Sequence, residues 1–479
     1  MVQAYVMKRL KAVLRGPVPR WLRPSAGLVT CLFVACVAGP ASSVADEAAR
    51  PPNVLLVCAD DLGLGELGCQ GQTRIATPHI DALAARGRRY AQAYSGAPVC
   101  APSRCMLLTG RSSAMAQVRD NRELPGEGQQ PLVAGTPNLA RALRAQGYAT
   151  ALVGKWGLGP VGSSGDPRAQ GFERFLGYAC QRHAHDHTPA WLWEDERRVE
   201  LAPGTYAPDL FLSRALDFVR TRGDERPFFL MYATTIPHMA LEVPEDSLTE
   251  YRGRFEETPY AGGKGYTPHP TPRAAYAAMI TRFDRDLGAL LAELERRGEL
   301  GRTIVLVTSD NGATHDVGGA DTAYFDSTGG LRGRKGSLHE GGLRVPLVVA
   351  GPRVAPGVSQ RVVVGWDIPN TILELCGASP LAGEGLSHAV ELAGGSQAPR
   401  GPIAWEFPGY GGQRAARIGD WKVVQRGLAQ RRDAPIEVYD LGRDPGETRD
   451  LAGERGDVVE VAKGLWTATT PSNVDGGSR

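Results

Sequence analysis

The sequence predicts an α/β fold: a mixed, largely parallel sheet sandwiched by helices, followed by a smaller C-terminal α+β subdomain. Three observations carry this expectation. From Pro51 onward, short apolar runs rich in β-branched residues alternate with longer helical stretches, the pattern of strands joined by helical crossovers. Two of those runs end directly in clustered Asp, Asn and Gly. After Leu375-Cys376-Gly377 the texture changes, with frequent Gly and Pro separating short strand-like segments. No internal repeat or long low-complexity tract interrupts the chain.

Taken in order, Asn53-Val54-Leu55-Leu56-Val57-Cys58 reads as a buried strand that delivers Asp60 and Asp61 into the loop at its C-terminal end. Open α/β sheets keep their ligand sites at that end. Thr77-Pro78 starts a helix through Arg88, Thr136-Pro137 a second through Gln146, Pro208 a third through Arg220, and Pro272 a long amphipathic one through Arg297. Proline suits the first turn of each, where its missing N–H costs nothing. Strands are expected near Ala149-Val153, Phe228-Thr234, Ile304-Thr308 and Leu347-Ala350. In the C-terminal part, Ala416-Ile418, Trp421-Val424 and Glu437-Leu441 suit a small antiparallel sheet. The expected division is a leader over residues 1–45, a larger domain over 51–376 and a smaller one over 377–479.

The first 45 residues carry Lys8, Arg9, Lys11, Arg15, Arg20 and Arg23 and no acid. An apolar run from Leu28 to Ala38 follows, then Ser43-Val44-Ala45. That order is a secretory signal peptide with cleavage after Ala45, too short in its apolar part for a spanning helix of about 20 residues. Export to the periplasm or medium is expected; a lipid-modified Cys36 or an uncleaved anchor are the alternatives. Without those basic residues, 48 Lys and Arg face 52 Asp and Glu, a net charge of −4. A mildly acidic chain gives no electrostatic footprint for nucleic acid, and no integral membrane domain is expected. Cys58, Cys69, Cys100, Cys105, Cys180 and Cys376 remain after the leader, too few and too scattered for a disulfide scaffold. One pair joining Cys58 or Cys69 to Cys105 stays open.

The most informative stretch is Cys100-Ala101-Pro102-Ser103-Arg104-Cys105-Met106-Leu107-Leu108-Thr109-Gly110. Pro102 suits the first position of a helix and Gly110 its end, so Cys100 is expected just before a helix N-terminus, where N–H groups favour negative charge. Far downstream, the run from Arg302 to Ser309 ends in Asp310-Asn311-Gly312 as the first strand ends in Asp60-Asp61. Three carboxylates and an amide oxygen form a hard oxygen set suited to Ca²⁺ or Mg²⁺. Singly, such residues are ordinary after strands; their joint occurrence around Cys100 is the signal.

The Cys100–Gly110 run resembles the signature of the type I, formylglycine-dependent sulfatases of the alkaline-phosphatase-like superfamily. The resemblance extends from about Pro51 to Ala452. It implies that a maturation enzyme, the formylglycine-generating partner, converts Cys100 to formylglycine (3-oxoalanine). It also implies that Asp60, Asp61, Asp310, Asn311 and residue 100 surround one Ca²⁺. By the same resemblance Arg104 holds the formylglycine, Lys155 in Gly154-Lys155-Trp156 and Lys335 in Gly333-Arg334-Lys335-Gly336 grip sulfate, and His238 after Ile236-Pro237 protonates the leaving oxygen. Arg332 and Arg334 compete with Lys335 for that role. The family commonly carries a histidine after the tryptophan of Gly-Lys-Trp, and here that position is Gly157. The tract Gln181-Arg182-His183-Ala184-His185-Asp186-His187 follows, so His183 or His185 is expected to supply the imidazole or touch substrate, with His315 a further pocket candidate.

The implied activity is hydrolysis of a sulfate ester, with a sulfated carbohydrate expected and an aryl sulfate or a sulfamate open. A phosphonate monoester or phosphodiester hydrolase of the same superfamily, and an inactive sulfated-glycan-binding homologue, are the alternatives.

Overall fold

Alternate residues of the first strand, β1 (Asn53–Ala59), belong to two different apolar layers. Val54, Leu56 and Cys58 pack on one face of the sheet and Leu55, Val57 and Ala59 on the other. A strand buried on both faces needs no polar alternation, which is why its sequence is an unbroken apolar run. The computed structural model describes residues 50–469 apart from Gly126, Gly128, Asp224 and Lys264, so the expected signal peptide lies outside the described residues.

Nine further strands complete the sheet: β2 (Arg88–Tyr94), β3 (Ala149–Lys155), β4 (Arg174–Tyr178), β5 (Trp191–Glu194), β6 (Arg197–Glu200), β7 (Phe228–Ala233), β8 (Thr303–Ser309), β9 (Leu347–Ala350) and β10 (Gly357–Val364). Their order is β10-β2-β9-β8-β1-β7-β3-β4-β5-β6. The central run β8-β1-β7-β3-β4 is parallel throughout, so the C-terminal ends of these strands open on the same side. β9 joins β8 and β2 antiparallel, and β5 and β6 close the far edge antiparallel. The mixed, largely parallel sheet is as expected.

Several boundaries differ by one or two residues from those expected, and three of the differences have a clear local cause or bear on the site. The helix starting at Pro78 ends at Arg86 rather than Arg88, because Gly87 approaches the Val349 carbonyl too closely for a Cβ, which would lie 2.4 Å from it; the chain then turns into β2. The helix expected from Pro137 starts at Leu139, since the Asn138 side chain accepts from the Arg141 N–H at 3.0 Å and caps it. Cys100 is the first residue of its helix, Cys100–Thr109, not the residue before it; Val99 is extended and Pro102 stands third. The cysteines at 58, 69, 100, 105, 180 and 376 are all free, so the open Cys58 or Cys69 pairing with Cys105 does not form.

The smaller sheet is β11 (Ile403–Phe407), β12 (Gln413–Ile418), β13 (Trp421–Arg426) and β14 (Ile436–Asp440), antiparallel in chain order. The helix Gly456–Thr469 covers it through Trp466, which packs with Ala416, Val423 and Val438. Trp405 fixes this sheet to the main core. It is fully buried, lies 5.6 Å from the Tyr94 ring and 6.1 Å from the Trp366 ring, and donates to the Ser95 carbonyl. Trp405→Ala removes a fully buried indole from that seam. Urea unfolding is expected to show a loss of about 3–5 kcal/mol, whereas a loss below about 1 kcal/mol would mean the seam carries little of the stability.

Candidate active site

The site lies where the parallel strands end. β1 and β8 are in register, Ala59 opposite Ser309, so Asp60-Asp61 and Asp310-Asn311 emerge side by side. The cross-links between the two loops follow from that register. The Asp61 N–H donates to Asp310 Oδ1 at 3.1 Å, Asn311 Nδ2 to Asp61 Oδ1 at 2.8 Å, and the Leu62 N–H to Ser309 Oγ at 2.9 Å. Asp61 sits at φ 68°, a left-handed conformation unusual for a residue with a side chain, and these bonds hold it there.

Basic side chains meet the acids one by one. Arg104, from the first turns of the Cys100–Thr109 helix, donates to Asp310 Oδ2 through Nε and Nη2 at 2.9 and 2.7 Å and to the Lys155 carbonyl through Nη1 at 2.8 Å. Lys155, the last residue of β3, reaches Asp60 Oδ2 at 2.6 Å. Lys335 reaches Asp61 Oδ2 at 2.8 Å. Its loop is fixed on three sides: the Lys335 N–H donates to the Ala313 carbonyl, the Gly336 N–H to the Pro98 carbonyl, and Gln413 of β12 donates to the Gly336 carbonyl and accepts from the Leu338 N–H. The smaller sheet thus positions one of the three cations. Arg334, by contrast, pairs with Asp316, and Arg332 bonds to Tyr439 and Glu437.

Cys100 Sγ lies 3.4 Å from Asp60 Oδ1, and His238 Nε2 lies 3.5 Å from Asp61 Oδ2. Ligand atoms of Asp60, Asp61, Cys100 and His238 all fall within 4.8 Å of one another. Among the predicted metal residues, Asp310 spends one oxygen on Arg104 and the other on the Asp61 backbone. Asn311 Oδ1 is buried with no hydrogen-bond partner. An orphaned amide oxygen beside clustered carboxylates is a donor set that fits a hard divalent cation.

The electrostatics follow from burial against charge. Burial pushes the Asp60 carboxyl up, but the cations around it, Lys155 first and Arg104 with it, outweigh burial and hold the group well below the usual carboxylate range. Asp310 goes the other way, raised to about 6 by burial and by Asp60, against the pull of Arg104. Burial first, and then the Asp60 carboxylate, push the Cys100 thiol up to about 12. A thiolate is therefore not populated near neutral pH, and an unmodified Cys100 is a poor nucleophile here.

Of the predicted histidines, His238 and His185 come together, their rings stacked 4.4 Å apart. Burial, then His238, Lys155 and Lys335, lower His185 to about 2, so it is a neutral imidazole at physiological pH. His183 does not join the cluster; its ring lies between Tyr178 and Trp191, with centroids 4.9 and 4.2 Å away. His315 lies 6.2 Å from the ring of Tyr410, an exposed tyrosine whose ring covers Gly336 beside Lys335.

Sequence reasoning missed several contributors. Tyr410 comes from the β11–β12 connection and Tyr266 lies 6.4 Å from the His185 ring. His187 is buried, and its Nε2 lies 3.0 Å from the His238 carbonyl. Gln181 is also buried, its amide at the position a Cβ on residue 157 would take. Of these, only His187 carried a sequence signal, as the third histidine of the tract that Gln181 heads.

The Sulfatase family model matches residues 52–378. Arylsulfatase A of Homo sapiens is 31% identical over 471 residues, covering 87% of this chain and 87% of that protein. N-acetylgalactosamine-6-sulfatase of Homo sapiens is 28% identical, covering 85% and 83%. Among solved structures, Ps i-CgsB in complex with k-i-k-neocarrahexaose superposes with a TM-score of 0.72 at 23% identity, covering 88% of this chain and 94% of that one.

The fold and site define a hydrolase of the alkaline-phosphatase-like superfamily. Within it the chain belongs to the sulfatase family and is a sulfuric ester hydrolase.

Arg104 is the only basic side chain within ion-pair distance of Asp310 among the described residues. Arg104→Ala strands a buried carboxylate, and urea unfolding is expected to show a loss of about 3–5 kcal/mol. Adding Asp310→Asn should recover part of it. Simple additivity of the two losses would contradict the pairing.

Proposed function

We propose that this sulfatase hydrolyses a sulfate ester on a carbohydrate outside the cytoplasm, with Cys100 oxidised to formylglycine and one calcium ion held by Asp60, Asp61, Asp310 and Asn311. The observation that carries the reading is the meeting of Cys100 Sγ and Asp60 at 3.4 Å in a buried cluster flanked by Lys155, Lys335 and His238. An aldehyde hydrate at that position offers what a thiol does not: a second hydroxyl whose deprotonation re-forms the carbonyl and expels sulfate.

Each residue then has a task. One hydroxyl of the hydrated residue 100 attacks sulfur, the S–O bond to the alcohol breaks, and the alcohol oxygen takes a proton. The second hydroxyl loses its proton as the carbonyl re-forms, which breaks the bond to sulfate; water then restores the hydrate. Lys155 and Lys335, each with further N–H groups beyond the bond to Asp60 or Asp61, would donate to sulfate oxygens, and Arg104 fixes Asp310 and the end of β3. Bound calcium would supply positive charge beside the ester and lower the pKa of a hydroxyl at position 100.

His238 Nδ1 faces the Met239 carbonyl, so in the neutral ring the proton stays there and Nε2 is an acceptor. Burial, then Lys335, keeps the ring neutral in the free site. An anionic ester bound beside it favours the imidazolium, the form that donates to the departing alcohol. His185, stacked on His238, is the candidate acceptor for the proton released with sulfate; the burial that lowers it opposes that role, and the negative charge of the bound sulfate is what must raise its basicity for the transfer.

A carbohydrate is favoured by the relatives named for sulfated sugars and by the aromatic rim of Tyr266 and Tyr410. Export rests on the basic, apolar and small-residue order of the first 45 residues.

Two measurements on one preparation test the reading. Peptide mass spectrometry of protein made with a maturation enzyme should find the aldehyde at Cys100. That protein should hydrolyse an aryl sulfate faster than the matching aryl phosphonate, with Cys100→Ala slower by about four orders of magnitude or more. Full activity with an intact thiol, or preference for the phosphonate, contradicts the proposal.

A further inference from the structure

Gln181 presents an anomaly that the mechanism above does not use. The residue is 4% exposed, yet neither Nε2 nor Oε1 of its side chain has a hydrogen-bond partner. Buried carboxamides are normally satisfied, because leaving one unpaired forfeits its hydration without return. Such a group in a folded protein marks a place where something else binds or where a buried water sits.

Its location decides which. β3 and β4 run parallel and continue past their ends, the Trp156 N–H donating to the Tyr178 carbonyl and the Gly157 N–H to the Ala179 carbonyl. This places Gln181 at the C-terminal edge from which Lys155 reaches Asp60. The amide fills the space over Gly157, where a Cβ would lie 1.7 Å from Nε2. Gly157 itself is at φ 82°, so both its backbone and its lack of a side chain make room for Gln181.

The surrounding contacts hold this wall against the reacting centre. The Gln181 N–H donates to Gln129 Oε1 at 2.8 Å, and Asn121 Oδ1, earlier on the same segment as Gln129, accepts from Ala101 N–H next to Cys100. Four residues beyond Gln181, His185 stacks on His238. Gln181 is thus enclosed between the strand that carries Lys155, the segment tied to the start of the Cys100 helix and the loop that carries His185.

We propose that Gln181 is a substrate-binding residue whose Nε2 donates to a sulfate oxygen of the bound ester, its Oε1 accepting from a neighbouring hydroxyl. This rests on the sulfate-ester reading and adds a neutral donor to the charged pair Lys155 and Lys335. A carboxamide neither takes nor gives a proton at physiological pH, so its role is to place the ester. The proton transfers stay with imidazoles.

The proposal separates from a packing role through stability. If Gln181 is kept for a ligand, an apolar side chain of similar shape removes an unsatisfied group from the free protein and stability holds or rises. If it is packing or holds a structural water, the same change destabilises. The experiment uses the full, calcium-loaded chain with Gln181→Leu, and Gln181→Met as a more adaptable second variant. Inorganic sulfate is the probe, its Kd measured by calorimetry and the Tm of the sulfate-free protein measured in parallel.

The expected result is sulfate binding weakened about tenfold or more in both variants, a matching rise in KM for an aryl sulfate, and a Tm equal to or above the parent. Binding within twofold of the parent, or a lowered Tm with unchanged binding, overturns the assignment. A parent that hydrolyses the aryl sulfate while the variants bind sulfate equally well overturns Gln181 alone. A parent that neither binds sulfate nor hydrolyses the ester overturns the functional reading as well.

Discussion

Three carboxylates buried at the ends of two adjacent parallel strands are the constraint around which the site is built. Like charges about 4 Å apart repel by about 4 kcal/mol at the effective dielectric of a protein interior. Asp60, Asp61 and Asp310 are also stripped of water. The structure answers with three cations from three different parts of the chain: Arg104 from the helix after β2, Lys155 from β3 and Lys335 from a loop after β8. Each acid has its own base, and the set is completed by the unpaired oxygen of Asn311.

That pairing explains why so much structure far from the chemistry is fixed. The Lys335 loop hangs from Pro98, Ala313 and Gln413, so the smaller sheet acts on the site through Gln413 of β12. Behind it, Lys422 and Tyr94 both bond to the buried Glu340, joining the two sheets by a further fully buried ion pair. Trp405 seals the same seam with apolar area. Because unpaired buried charge is costly, displacement of any one cation would be felt through the whole cluster.

The parts legible in the sequence were those set by short-range rules. An apolar run ending in Asp-Asp or Asp-Asn-Gly names a buried strand and its loop at once, and the Cys100–Gly110 run names its helix. Arg104, Lys155, His238 and Lys335, each singled out in the sequence, lie against Asp310, Asp60 or Asp61. What stayed hidden depends on contacts between distant segments. β2 begins with two arginines directly behind a helix and is held by β9 and β10, so nothing local marks it. β5 and β6 are only four residues each, β6 mostly charged, and Tyr410 arrives from a connection more than 300 residues after Cys100. Gln181 was invisible for the opposite reason: an ordinary polar residue becomes informative only once its burial and missing partners are seen.

The account stands on the claim that the acid cluster is completed by one hard divalent cation. Equilibrium dialysis of the metal-stripped protein against calcium tests this directly. One ion per chain is predicted for the parent, with at least tenfold weaker binding after Asp61→Asn and a Tm that rises with calcium in the parent alone. A parent that binds no calcium or magnesium at the site, yet folds and turns over sulfate ester at full rate, would contradict the account.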